Sequence, residues 1–220
     1  MDEPQSASTC ATPFNFRRLG LILPLTVVCV WWDLYSKSAV FDRLGYPGRG
    51  GPVHQWLGRL SAFQLYTSFN EGALWGVGQG LTWLFAALSV VAVVLIVSIL
   101  LAWTSTECAR WFNVTLCLVP RNLHVALSHL AQVRSNWLTV ALCLVLSGTL
   151  GNLYDRLGLY GYKNIETGQP YRAVRDFLLF TFGNWPWPVF NFADVFLVTG
   201  TGMLVAYSFW SERSLAGSNE

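Results

Sequence analysis

Residues 81–103 run for 23 positions without a charged side chain. At about 1.5 Å rise per residue, such a helix outreaches the roughly 30 Å hydrocarbon core of a bilayer. A soluble domain has no place for it, so the chain is predicted to span a membrane. Trp83 and Trp103 stand at the two ends of the run, where indole rings favour the headgroup level. The composition agrees, with 53% hydrophobic and 12% charged residues, the latter about half the share of a soluble domain. A formal net charge of +2 supplies neither a nucleic-acid-binding surface nor a polybasic face, and no nucleic-acid partner is expected.

Three further spans can be drawn. The first starts with the apolar residues 19–32 behind Arg17 and Arg18 and reaches spanning length only by continuing toward Lys37. A cleavable signal peptide would begin in the same way, but Trp31, Trp32 and Asp33 stand where a small-residue cleavage site is needed. The others cover residues 137–154 and 189–210 and are long enough only if their polar ends are embedded. Four spans put both termini on one side, and Arg17 and Arg18 beside the first favour a cytoplasmic N-terminus. Residues 1–16 read as a flexible polar tail, 17–212 as the membrane domain and 213–220 as a C-terminal tail.

Between the spans, Phe63, Leu65 and Tyr66 form an extended-looking run before Asn70, behind a turn cluster at residues 45–52, so a small strand pair is expected in this loop. The loop at 104–136 carries Leu123, Leu127, Leu130 and Val133 at helical spacing and reads as an amphipathic helix on the membrane. His124 and His129 are five apart, which misses the i, i+4 spacing of a helical metal pair. Five cysteines without a CxxC suggest neither a disulfide framework nor a zinc site.

Polar groups at membrane depth are costly enough that function is the default reading for them. Four such groups occur: Asp33-Leu34-Tyr35-Ser36-Lys37, Asn70-Glu71-Gly72-Ala73, Gly151-Asn152-Leu153-Tyr154-Asp155-Arg156 and Phe190-Asn191-Phe192-Ala193-Asp194. The third span ends near Asp155 and the fourth begins near Asp194, so an antiparallel hairpin brings both carboxylates to one membrane face. Two carboxylates held close cannot both ionise cheaply, which yields one base and one acid from the same residue type. Trp75, Trp185 and Trp187 read as interfacial anchors.

At these residues the chain resembles the lipoprotein signal peptidases (signal peptidase II), whose patterns are D-x-x-[ST]-K, N-x-G-A, G-N-x-x-D-R and F-N-x-A-D in this order. The resemblance implies an all-α membrane protein of four transmembrane helices with a small extracytoplasmic β element. It implies an aspartic endopeptidase with Asp155 and Asp194 as the catalytic pair. Asn70, Gly72, Asn152, Arg156 and Asn191 would support the active site, and Gly148 and Gly151 would permit close backbone approach. Asp33 and Lys37, at i and i+4, are read as a structural ion pair. Asp176, in Val174-Arg175-Asp176-Phe177, resembles a V-x-D-F often found between the two catalytic motifs, and reads equally as a solvated loop carboxylate.

The implied substrate is a prolipoprotein carrying diacylglycerol on its lipobox cysteine, cut just before that cysteine. The resemblance implies a monomer in contact with membrane lipid, in the bacterial inner membrane, with its active site toward the outer face. It implies no metal and no organic cofactor. Asp155 and Asp194 lie 39 residues apart, more than the family pattern leads one to expect, and the excess falls in residues 163–172. The rival reading is a small proton-coupled transporter relaying protons through Asp155 and Asp194. A relay needs polar groups at several depths, and residues 81–103 offer no charged one.

Overall fold

The structure is a computed structural model and describes residues 16–47, 62–72, 78–104, 135–164 and 167–216. The expected amphipathic helix, His124, His129 and Trp75 lie outside the described residues, as do the tail 1–15 and residues 217–220. Among the described residues four helices are long and apolar enough to cross a membrane: α1 (Phe16–Leu44), α2 (Thr82–Ala102), α3 (Asn136–Arg156) and α4 (Phe192–Ala216). α1 runs two turns beyond Lys37, so the Asp33–Lys37 pair sits inside a continuous helix rather than at its end.

α3 is the central helix, packed against α1, α2 and α4. The core joins Ile22 of α1, Ile96, Ile99 and Leu100 of α2, and Leu138, Leu142 and Leu146 of α3. Outward, α2 exposes Leu84, Leu88, Val91 and Val94, and α4 exposes Val198, Val205 and Phe209. Such apolar area is unfavourable in water and suits the acyl chains of a bilayer. Trp83 is 64% exposed, as expected of an interfacial anchor, whereas Trp103 is fully buried in the core with the Arg18 guanidinium 6.0 Å from its ring centre. At this end of α2, α1 thus supplies a residue able to stack on the indole.

Glycines let α3 and α4 approach closely. A Cβ on Gly148 would collide with the Ala193 carbonyl and come within 2.7 Å of Leu197 Cγ, and one on Gly200 would lie 2.6 Å from the Ala141 carbonyl. Small residues at such crossings are a main means of tight helix packing in lipid. Because the obstacle is backbone, Gly148→Ala must push α3 and α4 apart. A loss of about 1–3 kcal/mol is expected, read as a lower melting temperature of the detergent-solubilised protein.

The strands are β1 (Phe63–Asn70), β2 (Val174–Phe182) and β3 (Trp185–Pro186), an antiparallel sheet in the order β1-β2-β3. The extended run before Asn70 is indeed a strand. Among the described residues its partner comes from the α3–α4 connection, where a pair within its own loop was expected. Phe63 pairs with Phe180 and Asn70 with Val174, with an irregularity between Leu65 and Ser68. Phe41, Phe177 and Leu178 form the core beneath the sheet. Leu178 also exchanges backbone hydrogen bonds with Phe190 (2.8 and 3.0 Å). That contact ties the strand holding Asp176 to the segment entering α4, and so fixes Asp176 relative to Asp194.

Candidate active site

The polar residues converge where the α3–α4 hairpin meets the sheet. Asn191 precedes α4 and forms a reciprocal cap with Asp194. The Asp194 backbone N–H donates to Asn191 Oδ1 (3.1 Å), and the Asn191 backbone N–H donates to Asp194 Oδ2 (3.1 Å). This is the capping-box arrangement with Asn and Asp in the two places. A third orphan donor of the helix, the Ala193 N–H, is taken by Asp33 Oδ1 at 2.8 Å, so α1 also holds the start of α4.

Asn152 is a hub. Its Nδ2 donates to Asp194 Oδ1 (2.9 Å), while its Oδ1 accepts from Lys37 Nζ (3.0 Å) and Asn191 Nδ2 (3.2 Å). Asn191 Nδ2 also donates to Asp176 Oδ1 (2.6 Å), and Asn70 Nδ2 donates to Asp176 Oδ2 (3.0 Å). One asparagine thus touches both Asp176 and Asp194. These two carboxylates line a cavity of about 260 Å³ together with Asn70, Gly72, Asn152, Arg156 and Trp187.

Asp155 stands elsewhere. It is fully buried, and its oxygens are taken by Lys37 Nζ (3.2 Å), by the backbone N–H and Nε of Arg175 (both 3.0 Å) and by Arg175 Nη2 (2.9 Å). It is not among the residues lining the cavity. The structure thus gives the two carboxylates of the expected pair different partners, Lys37 and Arg175 for Asp155 and Asn152 and Asn191 for Asp194. Both do end on one side of the hairpin, but Asp155 projects from the α3 face turned toward α1 and β2, while Asn152 and Arg156, one turn apart, line the cavity.

Asp33 and Lys37 are both fully buried and 2.8 Å apart. Lys37 is more than half of an in-helix pair, since it also reaches Asp155 and, across 115 residues of sequence, Asn152. Arg175 extends the ion-pair chain to Ser38 (3.2 Å). Gly151 makes room for this cluster, because a Cβ there would meet the Asp33 carboxylate. Arg156 donates to the Gly72 carbonyl (3.4 Å) and lies over Phe85. Its buried Nε has no hydrogen-bond partner among the described residues.

Sequence reasoning gave Arg175 no role and left Asp176 undecided. The missed signal was strand alternation. Val174-Arg175-Asp176-Phe177 opens a run of β-formers, and in a strand adjacent side chains point to opposite faces. Arg175 accordingly turns to Asp155 and Asp176 to the cavity. Burial, with the nearby Asp194 charge adding to it, pushes the Asp176 carboxyl up to about 7, although hydrogen bonds from Asn70 and Asn191 and the Lys37 charge pull the other way.

The architecture is that of a multi-pass membrane protein in which a buried and a half-buried carboxylate, Asp176 and Asp194, line a cavity at one end of the bundle. The sequence model for Signal peptidase (SPase) II matches residues 25–120 and 109–210. A lipoprotein signal peptidase of Rhodopirellula baltica is 35% identical over 207 residues, 94% of this chain and 78% of that protein. Another, from Burkholderia thailandensis, is 28% identical over 187 residues, covering 83% and 84% of the two chains. Two solved structures described as bacterial membrane enzymes share the fold at 18% identity, with TM-scores of 0.59 and 0.56. They cover 91% and 89% of this chain, and 93% and 95% of theirs is matched. The chain belongs to the signal peptidase II family and is a membrane peptidase. The transporter reading is thereby set aside.

Proposed function

We propose that the protein is an aspartic endopeptidase that removes the signal peptide from diacylglyceryl-modified prolipoproteins, with Asp176 and Asp194 as its catalytic pair. The carrying observation is that both carboxylates face one cavity and share Asn191. Charge counting supports it. The linked polar cluster contains the buried Asp33, Asp155 and Asp176 and the half-buried Asp194 against buried Lys37 and Arg175 and half-buried Arg156, four acids to three bases. One proton on the cavity pair makes the cluster neutral, as a poorly solvated site requires.

The protonated member, Asp176, donates to the carbonyl oxygen of the scissile amide, while ionised Asp194 takes a proton from the attacking water. The tetrahedral species collapses as a proton passes to the amide nitrogen, and no covalent enzyme intermediate forms. Arg156, Asn70 and Asn152, which line the cavity, offer donors to the substrate backbone. Asp33, Lys37, Asp155 and Arg175 support the site from behind. By the family pattern the cut falls just before the lipidated cysteine, on the outer face of the inner membrane, and the protein acts as a monomer without cofactor.

The test is incubation of the purified protein in lipid with a diacylated prolipoprotein, followed by mass spectrometry. Release of the signal peptide with the lipidated cysteine at the new N-terminus is expected, and an uncut precursor under conditions where the protein is folded would refute the reading. Residues 105–134 contain none of the sequence motifs that carry the proposed site residues. Replacing them by a short polar turn should leave cleavage largely intact, and loss of activity in the correctly inserted variant would contradict that.

A further inference from the structure

The described residues between α3 and β2, 157–164 and 167–173, make none of the hydrogen bonds given above for Asp176 and Asp194, yet several of them are held by specific contacts. The Tyr171 backbone N–H donates to the Tyr162 carbonyl (2.9 Å), and Lys163 pairs with Pro170. Tyr162 stacks on Tyr46 with ring centres 4.4 Å apart and planes 2° from parallel, and Tyr171 lies 4.4 Å from Phe69. From this packed position the Tyr171 hydroxyl donates to Glu71 Oε1 at 3.0 Å.

Glu71 sits between two residues of the site. Its own carbonyl accepts from Thr82 Oγ1 (3.1 Å), and the Gly72 N–H following it donates to Asn70 Oδ1 (3.0 Å). With Asn70 Oδ1 occupied, its Nδ2 is the group left to face Asp176, to which it donates at 3.0 Å. We propose that Tyr171 is a positioning residue for Asp176, acting through Glu71 and the Asn70–Gly72 turn. The proposal rests on the reading of Asp176 as a member of the catalytic pair.

A hydroxyl donating to a carboxylate is among the stronger hydrogen bonds, and a ring wedged among aromatic neighbours fixes where that hydroxyl stands. Without it the 70–72 turn gains freedom and the Asn70 amide spends part of its time away from Asp176. Asp176 then loses a donor that favours its ionised form. The other charged groups facing Asp176 are Asp194 of α4, Lys37 of α1 and Arg156 of α3, while Glu71 and Tyr162 face Tyr171. Tyr171→Phe alters none of them and keeps the ring.

Steady-state cleavage of a diacylglyceryl-modified prolipoprotein should be measured against pH. Tyr171→Phe is expected to lower kcat about tenfold at its optimum, leave KM within about twofold, and move the alkaline limb to higher pH. Glu71→Ala should do the same even if Tyr171→Phe fails to fold. Glu71→Gln, which keeps an acceptor for the hydroxyl, should recover most of the loss, and the Tyr171→Phe/Glu71→Ala double variant should be no worse than either single one. A Tyr171→Phe enzyme with wild-type kcat and pH profile would overturn the proposal, as would a KM effect with an unmoved alkaline limb. If that result accompanied an inactive Asp176→Asn enzyme, only this proposal would fail. An active Asp176→Asn enzyme would remove the reading beneath it.

Discussion

Asp176→Asn and Asp194→Asn are each expected to insert and fold normally, bind a diacylated prolipoprotein, and fail to cut it. Turnover should fall by about 10⁴-fold or more, since an amide keeps the shape and part of the hydrogen bonding but can serve neither as base nor as acid. The double variant should be scarcely slower than either single one, because groups that act as a unit lose their contribution together. Asp155→Asn offers the contrast. Its carboxylate is enclosed by Lys37 and Arg175, so its loss should appear first in stability. Substantial cleavage by Asp176→Asn, measured with the wild-type enzyme alongside, would show that the cavity pair has been misassigned.

The pair also makes a statement about pH. Activity should be bell-shaped, with both limbs belonging to the coupled pair rather than to one residue. Stability carries a second signature. The Asp176 carboxyl is pushed up to about 7 in the folded protein, above the roughly 3.9 of an unfolded chain. The folded state therefore holds a proton that the unfolded state has released, and this contribution is full below about pH 4 and lost as pH rises through about 7. Asp176→Asn removes the penalty. Its stability relative to wild type should increase between pH 5 and pH 8, by an amount on the order of a few kcal/mol, and a constant difference across that range would contradict the raised carboxyl.

Length and apolarity made the four helices legible, because a bilayer enforces both on any spanning segment. The family motifs made the polar residues legible as a set. What the letters did not contain was their partition. Asn152, Asp155 and Arg156 lie within five residues on one helix, and only rotation about its axis decides that Asp155 faces Lys37 while its neighbours face the cavity. Asp176 was hidden for a related reason: its strand pairs with one distant in sequence, Asp176 opposite Ser68, and its carboxylate accepts from Asn70, 106 residues away. Long-range pairing of this kind leaves only a period-2 pattern in sequence. The Asn191–Asp194 cap, by contrast, was readable as N-x-x-D at the head of an apolar run.

Lys37→Met is expected to cost the fold more than the chemistry. The ammonium is fully buried and touches Asp33 Oδ2 at 2.8 Å, Asp155 Oδ2 at 3.2 Å and Asn152 Oδ1 at 3.0 Å. Removing it leaves two carboxylates facing each other with one cation fewer. Breaking a buried pair by deleting one partner typically costs about 3–5 kcal/mol, which for a chain of this size lowers the melting temperature by about 10 °C. Methionine fills similar volume, so the loss reports charge rather than a cavity. Neutralising one acid at the same time should return part of it, and Asp33→Asn/Lys37→Met is the suitable double variant because Asn can still accept from the Ala193 N–H. The fraction of Lys37→Met that remains folded should retain measurable turnover, since the cation contacts Asn152 and not the cavity pair directly. Thermal unfolding in detergent and cleavage per folded molecule separate the two effects. A Lys37→Met protein with wild-type melting temperature and no cleavage would move Lys37 from the scaffold into the reaction.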